Sequence, residues 1–167
     1  MPDAGPSETR SPEANPAGEP DPATDLWFRV LNEVGIVEQL ARALFEARLP
    51  PGFLVSHFAV LNHLVRVGDG RTPLDLARAF QVPKTTMTHT LGALDRAGLV
   101  TLKPNPEDGR SKRVWITDGG RAFRARAVAG LAPDVARLSR RFPTERVSAL
   151  LPALADLRRV LDEDRDG

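Results

Sequence analysis

The stretch from Thr72 to Thr117 leaves few folds open. Thr72 is placed to cap a helix whose first position is Pro73, and Asp75, three residues after the cap, completes a start resembling a capping box. Leu74, Ala77 and Phe80 make the expected buried stripe of that helix. Gln81-Val82-Pro83 forms a three-residue turn, and Pro83 suits the mouth of the next helix because a first-turn amide has no intrahelical partner. The second helix, over 84–97, places Met87, Leu91 and Leu94 on one face at spacings of four and three. Its opposite face carries Thr85, His89, Gly92 and Arg96, flanked by Thr86, Thr88 and Ala93, with Asp95 at the edge. Gly98 ends the helix as the residue past its C-cap.

Leu99 to Lys103 then reads as a strand, residues 104–109 as turn chemistry, and Arg113 to Thr117 as a returning strand. Arg110, Lys112 and Arg113 fall at the ribbon tip, beside the second helix. Two helices, a tight turn and a basic ribbon make a winged helix-turn-helix. A helix presenting hydroxyls, an imidazole and a guanidinium opposite a core stripe fits a major groove. The expected contacts follow. Lys84 and the first amides of the helix hold phosphate. Thr85, Thr86, Thr88 and His89 face base edges, with Arg96 on the same face. Arg110 enters the adjacent minor groove, Asp108 orients it by an ion pair, and Lys112 and Arg113 add positive charge.

The formal net charge of +1 argues weakly for a nucleic-acid partner, but its distribution argues more strongly. Residues 71–115 hold eight basic groups against four acidic ones, while residues 1–25 hold six acids against Arg10 alone. All three lysines lie in the winged helix. Zero cysteines fit a reducing cytosol and exclude disulfides, thiolate metal sites and a cysteine redox switch. No run of about 18 apolar residues is present, so no membrane span is expected. The N-terminus is acidic and proline-rich rather than basic and then apolar, so no secretory signal is expected either.

Residues 1–23 contain six prolines and almost no large apolar side chains, which predicts a disordered tail. The tail is either an inert extension or an acidic competitor for the basic wing. Residues 24–167 are expected to form one domain. In it, Trp27, Val30, Val34, Val37, Ala41 and Leu44 recur at 3-4-3-4-3 along a helix from Asp25 to Leu49, closed by Pro50-Pro51-Gly52. A second helix, 53–67, turns Phe58, Leu61, Leu64 and Val65 inward and begins the winged helix-turn-helix at 53–117. Thr117 caps a connecting helix over 118–141, which Gly130 and Pro133 should break near Leu131. Thr144 is expected to cap a last helix within 142–163, where Val147, Leu150, Leu154, Leu157 and Leu161 again step 3-4-3-4. The matched seams at 24–49 and 142–163 either pair within one chain or serve as dimerisation helices. Two-fold symmetry favours the second, because one winged helix reads only a few base pairs.

The chemistry of catalysis is not visible. There is no phosphate-binding glycine loop, no Gly-x-Ser-x-Gly and no His-Glu-x-x-His, and no nucleophile sits beside a base. His57 and His63 are six apart, the wrong spacing for a helical metal pair. No enzyme activity, cofactor or metal is expected. A winged helix without DNA affinity, serving as a protein-interaction module, is the alternative, and the basic wing argues against it.

One family combines these features. The residues Leu74-x-x-Ala77, Met87-Thr88, Leu94-x-x-Ala97-Gly98-Leu99-Val100, Asp108-x-Arg110-Ser111 and Ile116-Thr117-x-x-Gly120 resemble the MarR family of dimeric bacterial transcription regulators. The resemblance runs from about Leu26 to Leu161, and its most specific part is the Asp-x-Arg wing followed by Ile-Thr-x-x-Gly. It implies a mainly α fold of about six helices with a two-stranded wing, and a cytoplasmic homodimer on a pseudo-palindromic operator. It also implies repression relieved by a small ligand or by oxidation, of which the lack of cysteine leaves the ligand. Such a ligand, commonly an aromatic acid, would occupy a cleft between dimer helices and winged helix. Trp27, Phe53 and His57 are the candidates to line it, with plain core packing as the other reading of each.

Overall fold

The computed structural model describes residues 20–166, so residues 1–19 of the expected tail lie outside the described residues. The chain divides into two units, one ending at Ala41 and one beginning at Arg42. Helix α1 (Pro22–Glu46) starts within the stretch assigned to the tail. Asp21 sets that start: its carboxylate accepts the backbone N–H of Ala23 at 3.0 Å and of Thr24 at 3.2 Å, and also the Thr24 hydroxyl. Pro22 follows as the first helical residue. The N-terminal unit is the main length of α1, and α1 has no buried side chain: Leu26, Trp27, Phe28, Val30, Val34 and Val37 are all exposed.

The second unit holds α2 (Val55–Val67), α3 (Pro73–Ala79), α4 (Lys84–Arg96), β1 (Val100–Asn105), β2 (Asp108–Ile116), α5 (Asp118–Ala129), α6 (Ala132–Ser139) and α7 (Thr144–Asp166). The fold is mainly helical with one two-stranded antiparallel sheet. The connecting helix does break near Leu131, between α5 and α6, which gives seven helices among the described residues. None of these is long and apolar enough to cross a membrane.

The core gathers Val60, Leu61 and Leu64 of α2, Leu76 and Ala77 of α3, Met87, Leu91 and Leu94 of α4, and Phe123 of α5. Leu99, Val100, Val114 and Ile116 join it from the ribbon. Truncating any of these leucines to alanine removes about 2–5 kcal/mol. Two expected stripes shift by a residue or more. In α3 the buried leucine is Leu76, whereas Leu74 is 42% exposed. In α2, Val60 is buried and Val65 exposed. A helix this short packs against two neighbours at once, which its own periodicity does not reveal.

Both helices of the turn unit end in the same way. At the end of α4, Leu99 N–H donates to Leu94 O and Gly98 N–H to Asp95 O, each at 2.9 Å, with Gly98 at φ +69°. At the end of α3, Val82 N–H donates to Ala77 O at 3.0 Å and Gln81 N–H to Arg78 O at 3.1 Å, with Gln81 at φ +52°. Each is a Schellman closure, and Gln81 stands in the left-handed position that glycine usually fills. At the start of α3 the capping box closes as expected. Asp75 N–H donates to Thr72 Oγ1 at 3.1 Å, and Thr72 N–H donates to the Asp75 carboxylate at 3.0 Å. The Thr72 hydroxyl, which also donates to the Asp75 carboxylate at 2.8 Å, and then the Thr72 N–H hold the Asp75 carboxyl below its ordinary range.

The ribbon is tied to the helices on three sides. Gly70 N–H donates to Val114 O and Val114 N–H to Arg71 O, each at 2.9 Å, so Arg71 adds a bridge beside β2. Asp69 accepts the Ile116 N–H at 2.9 Å and the Arg121 guanidinium at 2.8 Å. Thr117 caps α5 by accepting Gly120 N–H at 3.0 Å, and its hydroxyl donates to Gly98 O at 2.7 Å. Helix α7 begins at Thr144 itself, so that residue lies in the helix rather than before it.

Candidate nucleic-acid interface

Helix α4 is amphipathic in the expected sense. Met87, Thr90, Leu91 and Leu94 are buried, while Lys84, Thr85, Thr86, Thr88, His89 and Arg96 are exposed. Its exposed residues border two hollows. Lys84, Thr88 and Gly92, one turn apart, form one wall of a cleft of about 710 Å³. Across it stand Asp108, Arg110 and Lys112 of the wing, and Leu74, Leu91 and Leu102 give it apolar lining. Thr85, Thr86 and His89 border a second hollow of about 480 Å³, shared with Leu54, Ser56 and His57 of the α2 end. At Gly92 an added Cβ would meet Arg96 Nη1 at 3.5 Å, an ordinary contact distance.

Thr88 is committed in part. Its hydroxyl donates to Lys84 O at 2.8 Å, as the buried Thr90 hydroxyl does to Thr86 O at 3.1 Å. What Thr88 still offers outward is oxygen lone pairs, which suit an amino group on a base edge rather than a carbonyl.

The wing differs from its expected form. Strand β1 runs on to Asn105 and β2 returns at Asp108, so the turn is Pro106-Glu107 rather than residues 104–109. Pro104 pairs with Lys112 and Asn105 with Asp108, so Gly109, Arg110 and Ser111 bulge from the return strand. The bulge carries Arg110 outward at the tip, and Arg110 and Lys112 are exposed. Asp108 does not orient Arg110 by an ion pair. Instead its carboxylate accepts the Arg110 backbone N–H at 3.0 Å, shaping the bulge in an Asx turn. Arg113 is turned into the hairpin: it donates to Asn105 Oδ1 at 2.8 Å and to Glu107 at 2.6 Å. It builds the wing before it presents charge.

Asn105, flanked by two prolines, is the residue that the turn reading undervalued. It is buried, accepts from Arg113 and from Glu107 N–H at 3.2 Å, and donates to Ser111 Oγ at 2.9 Å. An Asn inside a Pro-rich turn is a recognised signal for such local bonding.

The ligand candidates are placed differently. Phe53 is half-buried with its ring centroid 4.6 Å from Phe123, and His57, buried, meets Phe53 edge-on at 5.8 Å. Trp27 belongs to the N-terminal unit, where it is 54% exposed. Among the described residues, no group of three or more His, Asp or Glu side chains is gathered to hold a metal ion.

With this geometry in place, comparison with known proteins gives one answer. Residues 52–111 match the model of the MarR family. The winged-helix part of the chain is thus similar to the MarR family. The family comprises transcription regulators rather than enzymes. The transcriptional activatory protein BadR of Rhodopseudomonas palustris is 32% identical over 101 residues, which cover 59% of this chain. The matched part spans about half (56%) of BadR's own length. Apo wild-type MarR from E. coli aligns with a TM-score of 0.65 at 25% identity, over 75% of this chain and 93% of MarR. The transcriptional repressor CouR, in a structure bound to a 23-mer DNA duplex, aligns with a TM-score of 0.62 at 27% identity, over 75% of this chain and 89% of CouR. The sequence likeness to the family model lies in the winged helix, and the likeness in fold covers three quarters of the chain.

Proposed function

We propose that this chain is a sequence-specific double-stranded DNA-binding transcription regulator that acts as a homodimer on a pseudo-palindromic operator. The observation that carries the reading is the arrangement around α4. One helix presents Lys84 and Thr88 to a cleft whose far wall bears Arg110 and Lys112, and Thr85, Thr86 and His89 to a second hollow beside it. Lys84 and the amides at the α4 start take phosphate, Thr85, Thr86, Thr88 and His89 meet base edges, and Arg110 enters the minor groove. Arg96 and Lys112 add charge, Asp108 shapes the bulge, and Arg113 braces it.

The exposed apolar rows of α1 and α7 support the dimer: neither helix could leave so many large side chains in water without a partner nearby. Repression is the proposed sign, because occupying an operator suffices for it, whereas activation needs a further contact with the transcription machinery. Release by a small ligand, and a cytoplasmic location, complete the reading.

The test is a titration of random and operator-selected duplexes at several salt concentrations. The account predicts affinity that falls steeply with salt on both, with a constant advantage for the selected duplex. Binding to neither duplex at low salt would favour the interaction-module alternative.

A further inference from the structure

The acceptor that closes a capping box is ordinarily a carboxylate or an amide. At the start of α2 it is an imidazole. Leu54, extended at φ −111° and ψ 162°, is the N-cap, and its N–H donates to His57 Nδ1 at 3.0 Å. Leucine has no acceptor to return the bond, so His57 alone closes this end. A ring nitrogen accepts only while it is unprotonated, so the bond requires neutral His57 with its proton on Nε2.

We propose that His57 is a proton-sensitive cap: neutral, it holds the α2 start and the Phe53–Leu54 approach in place, and protonated, it releases them. Protonation would set an N–H donor against the Leu54 N–H and a positive charge in the first turn of a helix, where the helix dipole opposes it. The hollow beside it offers the imidazolium no carboxylate in return. His57 is only 8% exposed. Across the hollow, the titratable group facing it from α4 is His89, and the other lining residues are Leu54, Ser56, Thr85, Thr86 and Thr90, none of them acidic. Through Phe53, the group packed from α5 is the apolar ring of Phe123.

Burial first, then the neighbouring His89, depresses the His57 pKa below its ordinary value. The neutral form is therefore the one that folding favours. The stabilisation is complete above the unfolded-state pKa of about 6.5 and is lost as pH falls through the lower folded-state value. This inference concerns the α2 cap and does not depend on DNA binding. Where the DNA reading also holds, acid would loosen the wall that faces Thr85 and His89.

The test follows the full chain by NMR and thermal melting from about pH 8 to about pH 5, a range spanning the ordinary imidazole titration. Wild type is compared with His57→Gln, whose amide oxygen accepts at every pH. In wild type, the expected result is an Nε2–H tautomer at neutral pH. As the ring protonates, the protection of the Leu54 amide, taken relative to the intrinsic exchange rate at each pH, should fall by about tenfold or more, the factor that about 1.4 kcal/mol represents. In His57→Gln, Leu54 should stay protected in acid, and part of the acid-induced fall in Tm should vanish. The proposal is overturned if wild-type Leu54 keeps its protection while His57 protonates, or if His57 is already protonated at neutral pH. An acid fall in Tm as large in His57→Gln as in wild type also overturns it. Should His57→Gln fail to fold, the wild-type coincidence of ring protonation and amide release decides the matter.

Discussion

A methyl group added at Gly120 would stand 2.1 Å from the carbonyl oxygen of Leu99 and 2.7 Å from Cγ1 of Ile116. Backbone and core meet there with no room to yield, so Gly120→Ala should cost about 3 kcal/mol or more. At the adjacent Gly119 the nearest atom is 3.4 Å away, and Gly119→Ala should be neutral or stabilise by up to about 1 kcal/mol through reduced chain entropy. Denaturant melts of the two variants check this, and equal effects would refute the packing argument. The pattern Ile116-Thr117-x-x-Gly120 was legible in the sequence, but the reason for its glycine was not: the close approach is to Leu99, across the ribbon. Gln81 gives the complementary case. It carries a left-handed backbone that costs a side chain about 1–2 kcal/mol, partly offset by glycine's greater entropy in the unfolded chain. Gln81→Gly should therefore raise stability by about 1 kcal/mol at most, while Gly98→Gln, at the equivalent position of α4, should lower it. Urea midpoints that move in the same direction for both would contradict the shared closure.

The wing shows how far element-level patterns carry. Alternation and turn residues placed both strands and the basic tip, yet the turn was drawn too long, because Pro104 and Gly109 look like turn residues and in fact lie in paired or bulged strand. Proline tolerates the edge of a two-stranded ribbon, and the bulge absorbs glycine. The direction of a charged side chain is beyond such patterns: Arg110, Lys112 and Arg113 look alike in sequence, but Arg113 is held by Asn105 and Glu107. Nor does periodicity foresee Asp69, which reaches from a loop to Ile116 and Arg121. Asp69→Ala leaves the Ile116 N–H without its partner and should cost about 1–3 kcal/mol. Thermal melts, together with faster exchange of the Ile116 amide, measure that loss; unchanged exchange would mean that the tie does not brace the ribbon.

At the scale of the whole molecule, helices α1 and α7 and their apolar rows were legible because helical periodicity needs only the chain itself. What covers them is not encoded in any one chain's periodicity. If the C-terminal seam is a dimer contact, Leu154→Asp with Leu157→Asp places unpaired charge at an apolar junction and should cost about 3–5 kcal/mol of association. Sedimentation should then show a smaller species than wild type; an unchanged species would remove α7 from the interface. DNA reading by α4 and the wing is the central claim, and its most direct measurement compares Arg110→Ala and His89→Ala. Binding isotherms are taken on a duplex selected by the wild-type protein and on a scrambled one, at two salt concentrations. Arg110→Ala should weaken binding to both duplexes and lower the salt slope by about one. His89→Ala should narrow the gap between the duplexes by up to about 1–3 kcal/mol, less if it makes a single hydrogen bond. If both variants bind both duplexes as wild type does, this face of the molecule does not read DNA.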